Sequence, residues 1–268
     1  MKKTFTLMRA PQRERRSLLR GAVAAAGAAV LAGCDRLSRN ADFVDILQSA
    51  QHLSEAAHKV VAPRLAMAQE FGPDDVAQAF RANGTLSPAD ADYVALRDGG
   101  FADYRLSIGG LVRNPAEFSL AELRAMPSRT QITRHDCVEG WSCIGKWKGV
   151  QLGSLLHRAE PLPQARYVLF RCFDSMDGAT SDKRDSRYYE SIDFDDAYHV
   201  QTLLAYELND KPLPVANGAP LRCRVERQLG YKQAKYVSAI ELIESFADIR
   251  GGKGGYWEDE GYEWYGGI

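Results

Sequence analysis

The first 33 residues limit how much of this 268-residue chain has to find a fold. Lys2, Lys3, Arg9, Arg13, Arg15, Arg16 and Arg20 precede an uncharged run of small apolar residues from Gly21 to Gly33. A basic stretch followed by a short apolar one is the pattern of an export signal. The run falls short of the ~20 apolar residues that a membrane-spanning helix needs, so it predicts a leader and not an anchor helix. The alternative is a basic N-terminus beside an Ala-rich core helix.

Two details refine the leader. Arg15-Arg16-Ser17-Leu18-Leu19-Arg20 resembles the twin-arginine signal, whose route exports proteins already folded. Leu31-Ala32-Gly33-Cys34 resembles a lipobox, in which the Cys34 thiol is acylated and becomes the new N-terminus. Stable anchoring takes more than one acyl chain, and the multiply acylated cysteine of bacterial lipoproteins meets that need. Asp35 resembles the inner-membrane retention signal. The expected location is therefore the periplasm, lipid-anchored to the inner membrane. Folded export also raises the expectation of a cofactor inserted before secretion.

The mature part, residues 34–268, has an ordinary globular composition, 45% hydrophobic and 26% charged over the whole chain. A net charge of -1 gives no basic excess for nucleic acid, and a mean hydropathy of -0.34 argues against a polytopic membrane protein. Residues 34–79 read as a helical region. Phe43, Ile46, Leu47, Ala50 and Leu53 form an apolar stripe expected to pack on the domain, and Pro63 is expected to break the helix. Residues 80–250 mix short strands and short helices without βαβ alternation, which predicts an α+β fold. Strands are expected at 104–112, 130–138, 166–173, 202–208, 213–215 and 236–243, with a capping box at Ser119–Glu122 and a helical turn at 152–158. Leu221, Cys223 and Val225 alternate with Arg222, Arg224 and Glu226, which predicts a half-buried strand with its charges on the solvent face. The Gly- and aromatic-rich tail, 251–268, is expected to lie on the body.

Apart from Cys34, the cysteines are Cys137, Cys143, Cys172 and Cys223. In an exported protein they predict either a disulfide scaffold or a special thiol. No C-x-x-C pair, haem-attachment motif or zinc spacing is present.

The segment TRHDCVEGWSCIGKW, Thr133 to Trp147, resembles the molybdopterin-binding domain of the sulfite oxidase family. The resemblance continues in order through Phe80-Arg-Ala-Asn83 with Pro88, Tyr188-Tyr-Glu-Ser-Ile192, Leu203–Asn209, Asn217-Gly-Ala-Pro-Leu-Arg222 and Gln233-Ala234-Lys235. It departs from the family at Gly84, where His is common, and in the placing of Arg81. It implies a mixed-sheet, molybdopterin-binding domain and a Mo-molybdopterin cofactor. Cys137 becomes the metal's thiolate ligand, a soft donor suited to a soft, dithiolene-bound metal. Cofactor contacts are implied for Asn83, Cys172, Asn217, Arg222, Gln233, Ala234 and Lys235. Arg222 and Lys235 are of the type that holds a phosphate. Asn83 and Asn217 are otherwise turn residues, Cys172 otherwise a small buried residue, and His135 either orients the ligand loop or is structural. Tyr188 matches a tyrosine over the metal and is otherwise a packed aromatic.

The family moves oxygen atoms. The loop Cys137-Val-Glu-Gly-Trp141-Ser142 is closer to the C-V-E-A-W-S of the periplasmic methionine sulfoxide reductase branch than to the C-A-G-N-R of sulfite oxidisers. Glu139 is also a poor neighbour for a sulfite dianion. Arg134, Arg171 and Arg187 remain available to an anionic substrate, which keeps sulfite dehydrogenase as the alternative. No haem or flavin motif is present, so a membrane haem protein, quinone or cytochrome is expected to exchange electrons. No extension for a dimerising sandwich domain follows, which predicts a monomer. The rival from another class is a cofactor-free, disulfide-stapled ligand-binding lipoprotein.

Overall fold

The computed structural model describes residues 40–61, 65–176 and 186–268. The expected leader, Cys34 and Pro63 lie outside these residues. The chain divides into two units, 1–57 and 58–268. The first contributes most of a helix, Ala41–Val61, in which Ile46 and Leu53 of the expected apolar stripe are exposed. No helix among the described residues is long and apolar enough to cross a membrane.

Among its described residues the second unit has ten strands. They are β1 (Arg105–Gly110), β2 (Ala116–Ser119), β3 (Ser128–Asp136), β4 (Ser142–Gln151), β5 (Tyr167–Ser175), β6 (Arg187–Asp193), β7 (Leu203–Leu208), β8 (Lys211–Pro212), β9 (Arg222–Arg224) and β10 (Val237–Ile243). One sheet has the order β2-β1-β10-β5-β6, and the other runs β3-β4-β7-β8 with β9 also on β7. Only the β1–β10 pair is parallel, so the first sheet is mixed. The α+β expectation holds.

Local chemistry explains most boundaries. Ser119 accepts the Glu122 N–H while the Glu122 carboxylate accepts the Ser119 N–H, which starts the helix Leu120–Ala125. Asn209 and Asp210 both take left-handed backbone, φ 52° and 58°, as the two-residue β7–β8 turn requires. Strand β8 is Lys211–Pro212, so the expected strand at 213–215 is displaced: Leu213 still donates to the Tyr206 carbonyl at 2.9 Å, and the chain then turns away at Val215–Asn217. Gly149 is required by close approach, since a Cβ there would lie 2.2 Å from the Leu204 carbonyl oxygen on β7.

The core gathers Leu106 and Ile108 of β1, Val168 and Phe170 of β5, and Ile240 and Leu242 of β10, covered by Leu152, Leu155 and Leu156 of the helix Leu152–Ala159. Trp147, Ala205, Leu208 and Leu213 form a smaller cluster under Phe80. The tail lies on the body as expected. Trp264 Nε1 donates to Ser191 Oγ at 2.9 Å, and Gly267 bridges Gln228.

A further expectation is overturned. Arg222, Arg224 and Glu226 are not on a solvent face: all three are buried, as are Leu221, Cys223 and Val225 between them. The strand is covered on both sides. Arg224 meets Glu226 through Nε at 3.0 Å and Nη2 at 2.5 Å and stacks over Trp147, 4.3 Å from the ring centre. A forked ion pair on an aromatic face replaces the water that a lone guanidinium would lose.

Phe170 is wholly buried mid-strand. Phe170→Ala should lower unfolding free energy by about 3–5 kcal/mol, measured by urea denaturation. A loss well below that range would place the core elsewhere.

Candidate functional site

The β3–β4 hairpin carries the first element of the site. Its last register pair, Asp136 with Ser142, leaves Cys137 at the start of the loop. The Cys137 N–H donates to the Trp141 carbonyl and the Gly140 N–H to the Cys137 carbonyl, both at 2.9 Å. Gly140, at φ +84°, supplies the left-handed backbone of this tight loop. The Cys137 thiol is thus held on a rigid support. Asn83 Nδ2 donates to its sulfur at 3.4 Å.

Cys137 opens into a cleft of about 840 Å³, counting its solvent-facing mouth. The cleft lies where the hairpin loop, the C-terminal end of β5, the start of β6 and the β9–β10 connection converge. It brings together Asn83, Cys137, Tyr188, Arg222, Gln233 and Lys235 of the residues singled out from sequence, and His135 as well. Asn217 and Ala234 stand behind this wall. The Asn217 carbonyl accepts from Arg222 Nη1 at 3.2 Å, and the Ala234 carbonyl accepts the Cys223 N–H at 2.8 Å. Cys172 is buried in the core and borders a second cavity instead, with Arg171, Arg187 and Tyr188.

The cleft sets Arg222 and Lys235 beside Asp174 and Glu139, and Arg222 has no carboxylate partner among the described residues. Arg222 is buried, forms no ion pair, and its Nε has no hydrogen-bond partner. Burial, and then Arg224, pull its pKa down to about 9. Lys235 donates to the carbonyls of Asn83 (2.7 Å), Ala216 (3.1 Å) and Thr85, and burial followed by Arg222 lowers its pKa to about 7. His135 lies against Arg224 Nη1 at 3.1 Å and Gln233 Oε1 at 3.2 Å. Burial and the two arginines push its pKa well below the usual value, so its ring is neutral.

Several residues of the cleft were not singled out from sequence. Asp174 is buried with its Oδ1 unpaired, and burial raises its pKa to about 6 against the opposing pull of Lys235. It follows Cys172 by two positions on β5, so strand alternation was the available signal. Met176, Tyr231, Trp257 and Tyr262 add a thioether and aromatic rings to the lining. The Tyr188 hydroxyl donates to the Tyr231 carbonyl and stands 3.5 Å from Glu190 Oε2.

None of Cys137, Cys143, Cys172 and Cys223 is in a disulfide. Among the described residues no three His, Cys, Asp or Glu side chains come together as a metal site.

A half-buried soft thiol, a buried guanidinium whose Nε is unbonded and a large cleft suit an anionic organic cofactor. The chain belongs to the family of the oxidoreductase molybdopterin-binding domain, whose model matches residues 94–248. It is 41% identical over 166 residues to a putative protein-methionine-sulfoxide reductase subunit, YedZ1, of Azospira oryzae, covering 62% of this chain and 56% of that one. It is 38% identical over 149 residues to the protein-methionine-sulfoxide reductase catalytic subunit MsrP of Xanthomonas axonopodis pv. citri, covering 54% and 46%. The chain thus spans about half the length of these curated relatives. Among solved structures, the sulfane dehydrogenase SoxCD of Paracoccus pantotrophus aligns over 56% of this chain and 40% of its own, with a TM-score of 0.48 and 21% identity.

Two outcomes follow. Alkylation of the unreduced, denatured protein followed by peptide mapping should label all four of Cys137, Cys143, Cys172 and Cys223; a disulfide at Cys137 would remove the thiol from the site. Arg222→Met should leave the cofactor-free protein more stable by up to about 2 kcal/mol in urea, because an unpaired buried polar group is removed. The same variant should lose retention of the phosphate-bearing pterin. A less stable variant would show that Arg222 is compensated within the protein.

Proposed function

We propose that this chain is a molybdenum-dependent sulfoxide reductase, acting as an exported, lipid-anchored catalytic subunit. The observation that carries this reading is the Cys137 thiol opening into a cleft whose buried Arg222 has no carboxylate partner. Cys137 would supply the protein's thiolate to molybdenum. Arg222 and Lys235 would hold the pterin phosphate, and Asn83 would steady the ligating sulfur through its 3.4 Å contact. When bound, the molybdenum pterin supplies two-electron oxygen-atom exchange.

The charges favour a sulfoxide over sulfite. Arg134, Arg171 and Arg187, the arginines available to an anionic substrate, are paired with Asp136, Glu241 and Asp90, and none of them lines the cleft. Glu139 does line it, bonded by Trp141 Nε1 at 3.0 Å, and would repel a dianion. Val138, Met176, Trp257 and Tyr262 give it apolar lining suited to an uncharged sulfur side chain.

Export by the twin-arginine route, acylation at Cys34 and residence on the periplasmic face of the inner membrane complete the proposal. A membrane haem protein or cytochrome would deliver the electrons, with the anchor raising its effective concentration. The word subunit in the names of the relatives supports such a partner.

Protein from a cofactor-competent host should carry about one molybdenum per chain by elemental analysis, one being the number a single Cys137 can ligate. Cys137→Ser should lose the metal and all activity. The wild type should oxidise a reduced dye with methionine sulfoxide and leave cytochrome c unreduced by sulfite. The reverse pair of results would establish the sulfite-oxidising reading instead.

A further inference from the structure

Behind Tyr188 lies a charge cluster that the site just described does not use. Lys232 Nζ sits 2.5 Å from Glu190 Oε1 and 2.5 Å from Glu258 Oε1, and all three side chains are 0% exposed. Two carboxylates and one ammonium leave a net negative charge where no water can screen it. One added proton makes the cluster neutral.

Two oxygens of the cluster are free to carry that proton, Glu258 Oε2, buried and unbonded, and Glu190 Oε2. Glu190 Oε1 already accepts two donors, Lys232 Nζ and the Ser191 N–H at 2.8 Å. Glu190 Oε2 is the oxygen that faces the Tyr188 hydroxyl, at 3.5 Å. Burial, and then the repulsion of Glu258, raise the Glu190 carboxyl well above its usual value despite the pull of Lys232. Of the two carboxyls it is Glu190 that reaches the Tyr188 hydroxyl, and the remaining titratable groups around it stay protonated. The Cys172 and Cys223 thiols are held protonated by burial, and burial also raises Tyr231 and Tyr188.

We propose that Glu190 stores a proton on Oε2 and passes it through the Tyr188 hydroxyl to the substrate oxygen in the Cys137 cleft. The proposal rests on the sulfoxide-reductase reading. Each turnover breaks the S=O bond, takes two electrons from the redox partner and two protons, and releases sulfide and water. One of the two protons leaves Tyr188 Oη for that oxygen as Glu190 Oε2–H replaces it, and the other comes from solvent in the open cleft. Tyr188 lines the cleft, and its hydroxyl stands 3.5 Å from Glu190 Oε2 while donating to the Tyr231 carbonyl, a bond it gives up when its proton goes to the substrate. After water departs, a solvent proton entering the open cleft returns along the same pair. Glu190 itself touches no substrate and acts through Tyr188.

The test uses the molybdenum-loaded full-length enzyme with Glu190→Gln and Tyr188→Phe. Glu190→Gln keeps the Lys232–Glu258 pair, and circular dichroism with molybdenum content checks that each variant is folded and loaded. Infrared spectra in H₂O and D₂O should show a deuterium-sensitive carboxylic C=O band above the amide envelope. That band should vanish in Glu190→Gln and persist, shifted, in Tyr188→Phe. With methionine sulfoxide and reduced benzyl viologen, both variants should lose about 10²-fold in kcat, the scale of one proton transfer. KM should change little, and the alkaline limb of the wild-type pH profile should disappear in both. A band that survives in Glu190→Gln, or variants that keep the wild-type kcat and pH profile, would overturn the proposal. An enzyme inert to every sulfoxide would sink the preceding reading, while the infrared arm would still decide whether Glu190 holds the proton.

Discussion

A guanidinium cannot leave water unless something else bonds it, and the way this chain meets that demand twice on one short strand organises the whole site. Arg224 is satisfied internally: Glu226 takes both arms of its fork, Trp147 lies under its face, and His135 meets its remaining nitrogen. Arg222, two residues earlier and equally buried, has only a backbone carbonyl and an aromatic face. The first arginine is structural and supports Trp147 and His135. The second faces the cleft with its charge unanswered, which is affordable only where a negative guest arrives. Folding and cofactor retention are thereby tied to one pair of side chains.

The same strand marks the limit of what could be read from sequence. Strands β1, β5, β7 and β10 were legible within a residue or two because each is a short apolar, β-branched or aromatic run bounded by turn residues. The capping box and the Asn209-Asp210 turn were legible because each rests on chemistry confined to a few neighbouring residues. For β9, alternating Arg and Glu reads as a solvent face, and only tertiary covering turns it inward. No local pattern reports that covering.

The site was legible in proportion to how local its chemistry is. Cys137 and its loop lie within one hairpin, so the resemblance located them together. Cys172 was matched to the cofactor, yet its side chain points into the core and Asp174, one alternation on, lines the cleft. Glu190 lay inside a quoted motif, but nothing near it announced Lys232, 42 positions away, or Glu258 in the tail. A buried charge cluster assembled from three distant segments leaves no periodic trace in any one of them.

The parallel pairing of β1 with β10 has a consequence for biogenesis. Strand β10 sits in the middle of its sheet, between β1 and β5, yet it is the last strand in the chain. During synthesis β2-β1 and β5-β6 can form only as two separate ribbons, each with an open edge, until residues 237–243 emerge to join them. Such unpaired edges invite association with other chains. The nascent polypeptide therefore stays vulnerable until residues 237–243 are made, and any factor that shields it has to bind before that moment and let go after it.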